Sequence, residues 1–327
     1  MEEVIKMINL VRVTNAENVL NMELRNPEKS GFLVRDIQGL GSGTSDIRNT
    51  DYASLPGSIY DSSRKPVRNI VFQLRLLWHD TVEKARHESE RYFPLGKSIK
   101  MEFFGDDRET WIEGYVESNE PTIFSTTKME GIDCQISVLC TDPAFKSPIA
   151  NSVEQKKLEG GFYFEFPRPT DEFPEIPGDC FDDSYEDPYK YRLAMSDILS
   201  GGYSVSFDYD GTAETGCKFH LYFNESADRV EIICNRTGQS LIFKPDTENR
   251  FRAGDVMIID TNAGNRSAYV VREGTYINYL DHMLVTSSFS GIILQKGSNT
   301  FRLEIDKGTN NDAAELRIEY RNAYWSV

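Results

Sequence analysis

The residues able to do chemistry in this chain are abundant, but they do not converge. The four histidines, His79, His87, His220 and His282, sit in unrelated contexts, with neither a His-Glu-x-x-His pair nor a nucleophile elbow. His220 alternates with Phe219 and Leu221 on an apolar run, so a structural histidine is the plain reading. His87 has Glu83, Glu88 and Glu90 for neighbours and could be read as a metal site, yet no second ligand group lies close, and a solvated helix face explains it better. Of the five cysteines, Cys134, Cys140, Cys180, Cys217 and Cys234, no two form a Cys-x-x-Cys pair. Cys134 and Cys234 lie on alternating apolar runs and read as buried free thiols.

Carboxylates are the commonest reactive group. Between Pro167 and Asp187, prolines and acids crowd together almost without Lys or Arg, so this stretch reads as an exposed loop. Asp179, Asp182, Asp183, Glu186 and Asp187 could hold Ca²⁺, but the Gly-centred turn of an EF-hand is missing, and a solvated loop or an outer docking arm for a partner is the simpler expectation. Asp208-Tyr-Asp-Gly211 is a fragment of a calcium loop without the downstream Glu, and reads as a hairpin turn. Gly39-Leu-Gly-Ser-Gly-Thr44 invites comparison with a phosphate loop. It lacks the Gly-x-Gly-x-x-Gly order and a Gly-Lys-Ser/Thr end, and no apolar helix follows; a flexible turn is expected. A glycosidase needs only two carboxylates about 5–10 Å apart, but an excess of acids is weak evidence for a site. The sequence implies no enzyme, no cofactor and no metal.

The bulk properties narrow the classes further. The formal net charge is −16, which argues against gripping a phosphate backbone as the main task. No apolar run approaches the roughly 18 residues that span a bilayer, so no membrane partner is expected. Met1-Glu-Glu-Val-Ile-Lys6 is acidic where a secretion signal would be basic, which points to folding in a cytosol. A chain of 327 residues exceeds one ordinary core.

The elements that would position these groups are short strands. Val4 to Val13 and Val19 to Leu24 read as strands around an Asn15–Asn18 turn, and 31–37 as a third. Residues 52–67 read as a loop turning at Pro56-Gly57, and the run to Trp78 as a strand with one apolar face. Asp80 to Phe93 is the one helix, with Asp80 as its cap and Glu83 three residues on. Its apolar face would be Val82, Ala85, Ser89, Tyr92 and Phe93, and Pro94 and Gly96 end it. Ser98–Phe104, Glu109–Glu117 and Ile132–Cys140 follow as strands. Lys146 to Lys157 reads as a polar connector, dividing the chain into units 1–147 and 148–327.

In the second unit, Gly161–Phe166 is an aromatic strand. Val230, Ile232 and Cys234 alternate with Glu231 and Ile233, and Val256, Ile258 and Asp260 with Met257 and Ile259. The words 236–239, 253–255, 262–265 and 296–299 are Gly- or Asn-bearing turns. Ala314 to Tyr320 alternates as a last strand. Tyr324 and Trp325 would serve a partner or a sugar if exposed; tucked back, the simpler reading, they close the sandwich. The fold class expected is mainly β, with an N-terminal barrel or sandwich carrying one helix (about 80–93) and a C-terminal sandwich or jelly roll.

Asn235-Arg-Thr-Gly-Gln239, Gly254-Asp-Val-Met-Ile-Ile-Asp-Thr261, Ile277-Asn-Tyr-Leu280 and Leu294-Gln-Lys-Gly-Ser-Asn-Thr-Phe301 resemble, in order and spacing, the C-terminal domain of the distal tail proteins of long-tailed phages. Leu55-Pro-Gly-Ser-Ile-Tyr-Asp-Ser-Ser-Arg64, Ile112-Glu-Gly-Tyr-Val-Glu117 and Ser137–Phe145 resemble the ring-forming domain of the same family, so the likeness covers most of the chain. It implies a galectin-like second domain and a virion protein made in the host bacterial cytoplasm. It further implies a homohexameric ring at the tail tip, stacked between the tail tube protein and a tail-lysin or hub protein, with receptor-binding proteins outside and DNA only as passing cargo. Leu55, Pro56, Gly57, Tyr60, Arg64 and Arg68 are the ring or partner contacts it points to. The alternatives are a carbohydrate-binding module for a cell-wall sugar and, less favoured, a wall hydrolase. Exposed aromatics in a groove would support the module, and the sequence shows no obvious row of them.

Overall fold

The computed structural model describes residues 8–52, 56–77, 81–122, 131–154, 203–306 and 313–327. The chain starts with β1 (Ile8–Thr14), β2 (Val19–Glu23) and β3 (Phe32–Gln38), then β4 (Asp46–Asp51), β5 (Ser58–Arg64) and β6 (Arg68–Leu77). Helix α1 (Val82–Tyr92) precedes β7 (Ser98–Gly105), β8 (Glu109–Pro121), β9 (Gly131–Cys140) and β10 (Phe145–Glu154). After it come β11 (Tyr203–Tyr209), β12 (Lys218–Phe223), β13 (Val230–Cys234), β14 (Gln239–Phe243), β15 (Val256–Asp260), β16 (Ser267–Arg272), β17 (Thr275–Asn278), β18 (Gly297–Ile305) and β19 (Ala314–Tyr324). The fold is mainly β, as the alternations require.

Period-two alternation builds the first core. In β6, Ile70, Phe72, Leu74 and Leu76 are buried while Val71, Gln73 and Arg75 are only partly covered. Val11, Val13, Met101, Phe103, Ile136 and Val138 meet them from neighbouring strands. Helix α1 and its C-cap Phe93 close one side, burying Ala85, Ser89 and the Phe93 ring, which lies 6.0 Å from that of Phe72. Its N-cap is Thr81, one residue later than expected, whose side chain accepts a hydrogen bond from the Lys84 N–H. Asp80 lies outside the described residues. His87 stays on the wet face beside Glu90.

The second core lies between two sheets. One has the order β11-β18-β13-β14. The other presents Phe219, Leu221, Met257, Ile259 and Val270 against Val230, Ile232, Leu241, Phe301 and Leu303. Phe219 meets Phe301 edge-on at 5.2 Å, and Phe223 stacks on Phe251 at 4.6 Å. This is a β-sandwich.

Two expectations change here. Residues 146–154 are part of strand β10, not a polar connector. That strand pairs with β19 from Phe145↔Tyr324 to Glu154↔Arg317 and touches β8 at Lys146↔Trp111. The order β17-β16-β15-β12-β19-β10-β8-β7-β1-β2 therefore runs unbroken through both halves. The ladder is sustained by neighbours on both sides, so its own polar composition hides it, and Pro148 falls where the register shifts and no N–H is needed. Residues 208–211 are not a hairpin turn either. Strand β11 pairs with β18, and the chain then leaves that sheet. Tyr209 is buried, donating its hydroxyl proton to the Ala213 carbonyl and accepting from the Ala323 N–H, both at 2.8 Å. A Cβ on Gly211 would stand 2.1 Å from that hydroxyl oxygen, so only glycine fits.

Cys134, Cys140, Cys217 and Cys234 are buried free thiols. Burial pushes the Cys134 thiol up to about 11 and the Cys140 thiol up to about 12, and raises Cys217 as well. Since only the thiolate attacks, a chain carrying Cys180→Ser is expected to show no reaction with a disulfide reagent at pH 8 until it is denatured. Fast labelling of the native chain would show that one of these positions opens.

Candidate assembly surface

Among the described residues strands β4 and β5 pair only with each other, Asp46↔Arg64 through Asp51↔Ser58, in a two-stranded ribbon. Every residue of both strands is exposed, and none belongs to either core. The ribbon is held by polar links: Arg64 to Asp46 at 3.2 Å, Thr50 to Asp61 at 2.7 Å and Asn49 to Ser58 at 2.8 Å. Ile47 (66% exposed) and Tyr60 (62%) stand out in water, with Ile59 and Tyr52 also uncovered. An isolated hairpin is marginal in water, and apolar side chains gain nothing from exposure. This ribbon is an exposed arm that belongs to neither core.

The contacts suggested by sequence fall as follows. Pro56 and Gly57 are exposed in the turn at the arm's tip, where Gly57 has φ +106° and its carbonyl accepts from the Tyr52 N–H. Tyr60 lies on β5, and Arg64 sits at the base in its ion pair. Leu55 lies outside the described residues, as do Asp179, Asp182, Asp183, Glu186 and Asp187. The turn is where the sequence put it, but the expected loop around it is paired. Polar residues on both faces erase the period-two signal.

Arg68 is turned inward, 8% exposed. Its guanidinium donates to the carbonyls of Gly39, Gly41, Pro143 and Trp325, and it lies 4.7 Å from the Phe145 ring centre. Burial pulls its pKa below the usual guanidinium range. These carbonyls come from the loop leading into the arm, the loop before β10 and the C-terminal tail. The loop at 39–44 therefore presents carbonyls to a cation, the reverse of a phosphate cradle. Gly39 has φ +88°, and a Cβ there would meet the Asn69 oxygen at 2.2 Å.

The tail is tied down at the same place. Lys65 lies over the Trp325 ring, Trp325 rests against Ala144, Ala213 and Ala323, and the Val327 N–H donates to the Leu40 carbonyl. Trp325 is thus tucked back, onto the base of the arm. Nothing in the sequence marked Arg68 as internal beyond its place at the head of an apolar strand.

Among the described residues no three His, Cys, Asp or Glu side chains group to hold a metal, and no helix is long and apolar enough to cross a membrane. His220 Nε2 stands 3.3 Å from Glu319, and His282 packs edge-on against Tyr279, so these two lie in separate places.

Residues 210–324 match the family model of the siphovirus-type tail component, C-terminal domain. That span holds most of the second core. Among solved structures, the crystal structure of SPP1 Dit (gp 19.1), described as a paradigm of the hub adsorption apparatus in phages infecting Gram-positive bacteria, is similar with a TM-score of 0.60. The match covers 96% of this chain and 98% of that one at 12% identity. The phage P2 baseplate in its activated conformation with Ca has a chain similar at TM-score 0.45 and 14% identity, covering 96% and 98%. The p2 baseplate with Sr gives 0.44 and 11%, covering 95% and 97%. No curated protein matches by sequence. The SPP1 Dit likeness speaks to fold, and it extends over both halves; the family match speaks to the C-terminal domain. Both accord with the distal tail resemblance read from the sequence.

Proposed function

We propose that the chain is a structural component of a siphovirus-type virion, a distal tail or baseplate hub protein that closes into a homohexameric ring. The family match at 210–324 supports the tail assignment. The observation that carries the ring is the β4–β5 arm, exposed along its whole length and attached to neither core. One surface that seats the arm of the next copy generates a heterologous contact, and cyclic symmetry closes it. In this reading the two halves, one built on each core, divide the labour. The first stacks between the tail tube protein and the tail-lysin or hub protein; the second faces outward, with the acidic residues 179–187 as a docking loop for receptor-binding proteins. DNA passes through the ring, and a net charge of −16 disfavours phosphate sticking to it. No bond is made or broken.

Native mass and class averages by electron microscopy test the ring. The wild-type chain is expected as a hexamer. Ile59→Asp with Tyr60→Asp should yield folded monomers, since a buried apolar contact at an interface is worth about 2 kcal/mol or more and neither side chain supports a core. A wild-type monomer at every concentration, or a ring that survives the double substitution, would sink the proposal.

A further inference from the structure

The face of the C-terminal sheet turned away from its core carries a stripe that the sequence scatters over four strands. Tyr222 on β12 is opposite Val256 on β15, Val256 opposite Val271 on β16, and Val271 opposite Tyr276 on β17. Two residues along the strands, His220, Ile258, Tyr269 and Asn278 form a second row. Directly opposed residues share a face, as do residues two apart. The intervening residues, Phe219, Leu221, Met257, Ile259 and Val270, point into the core. Tyr222, Val256, Ile258, Tyr269, Val271 and Tyr276 therefore form one apolar and aromatic strip on the outer side. Tyr276 is 70% exposed, Tyr269 39% and Tyr222 37%. An apolar strip of this kind inside a polar rim marks a binding surface.

The rim shows what fits. Glu315 and Arg317 of β19 stand opposite Tyr222 and His220, and Glu319 stands opposite Lys218, which is itself opposite Asp260. Arg317 is bonded to Glu319 at 2.8 Å, and Lys218 lies 3.4 Å from Asp260. Lys218 and Arg317 are thus each committed to a carboxylate, and with Glu315 and Glu154 the carboxylates around these two outnumber them. A polyanion would be repelled here. A protein anchor residue binds by filling a pocket, whereas this face offers rings along a pleated surface. Aromatic rings with wet tips, bordered by paired donors and acceptors, suit a ligand that has apolar C–H faces and hydroxyls that both donate and accept. Tyr222 and Tyr276 are three strand spacings apart, about 14 Å, which accommodates a run of sugar units.

We propose that this face binds a neutral cell-surface polysaccharide, with Tyr222, Tyr269 and Tyr276 as stacking platforms. The inference is independent of the ring. The full-length chain is applied to immobilised neutral glycans built from hexoses and N-acetylhexosamines, beside glycerol-phosphate polymers. Binding to neutral glycans is expected. Tyr276→Ala should weaken it about tenfold, the loss of one stacked ring, while Tyr276→Phe keeps it. Tyr115→Ala, an exposed tyrosine of the other half, should change nothing. Three results would each overturn the proposal. The first is absence of neutral-glycan binding, including a preference for the phosphate polymers. The second is shielding of these tyrosines from nitration in the free chain, which would show the face already occupied. The third is a fall in native mass on Tyr276→Ala, which would give the face to a second copy.

Discussion

Arg68→Ala is expected to destabilise the first core by about 4 kcal/mol, from buried carbonyls left without their donor, and to loosen the base of the arm at the same time. The side chain gathers four carbonyls from three remote segments: Gly39 and Gly41, Pro143, and Trp325. A buried polar group left without its partner costs about 1–3 kcal/mol. Four such losses would sum to more, but water entering the vacated space recovers part, and the burial of the cation itself is no longer opposed. Arg68→Lys should recover only a fraction, because an ammonium has three donors on one atom where these carbonyls converge on a planar fork. Guanidinium unfolding followed by tryptophan fluorescence reads the stability. Limited proteolysis at 39–45 reads the loop, and native mass reads whether the proposed ring still forms. A loss below about 1 kcal/mol would mean that the carbonyls are hydrated without penalty and that the clamp holds nothing.

What sequence reveals in this molecule depends on how local the cause is. Strand β6 is legible because its alternation is its own: Phe72, Leu74 and Leu76 point one way regardless of neighbours. Helix α1 is legible for the same reason, through Ala85, Ser89 and Phe93, and only its cap moved by one residue. Strand β10 is not, since Lys146, Ser147, Asn151 and Ser152 acquire strand geometry from β19 and β8, which lie far off in sequence. The arm is hidden in a second way. Its strands are polar on both faces, so no inward set exists to betray the pleat. The candidate sites show the contrast most sharply. The turn at Pro56-Gly57 announces itself by residue type, but the strip carrying Tyr222, Tyr269 and Tyr276 exists only because β12, β15, β16 and β17 are neighbours in a particular register. Arg68 is the extreme case, its partners spread from Gly39 to Trp325.

The second large effect is expected at Asp255, and here the two cores should part company. Asp255 is 2% exposed. Its carboxylate accepts from Arg272 Nε at 3.0 Å and Nη2 at 2.6 Å, and from the Arg252 N–H at 2.9 Å. Arg272 donates onward to the Arg250 carbonyl, and the Tyr279 hydroxyl, within reach of the same guanidinium, donates to the Asn249 carbonyl. The hydrogen bond with Asp255 raises the Arg272 pKa above its usual range. Removing one partner of a buried pair strands the other charge and costs about 3–5 kcal/mol, so Asp255→Ala should reduce the stability of the sandwich by that amount. Asp255→Asn should fall between, because its amide turns two donors toward a guanidinium that has only donors. Pairing Asp255→Ala with Arg272→Met should restore much of the loss, since an apolar replacement leaves no orphan charge. Hydrogen exchange localises the effect: amides of β13 and β18 should open sooner in Asp255→Ala while those of β6 keep their protection, because the two cores share no buried residue. If β6 loosens in step with β13, the unbroken ladder through β10 and β19 makes the chain one cooperative unit, and the division near residue 147 loses its energetic meaning.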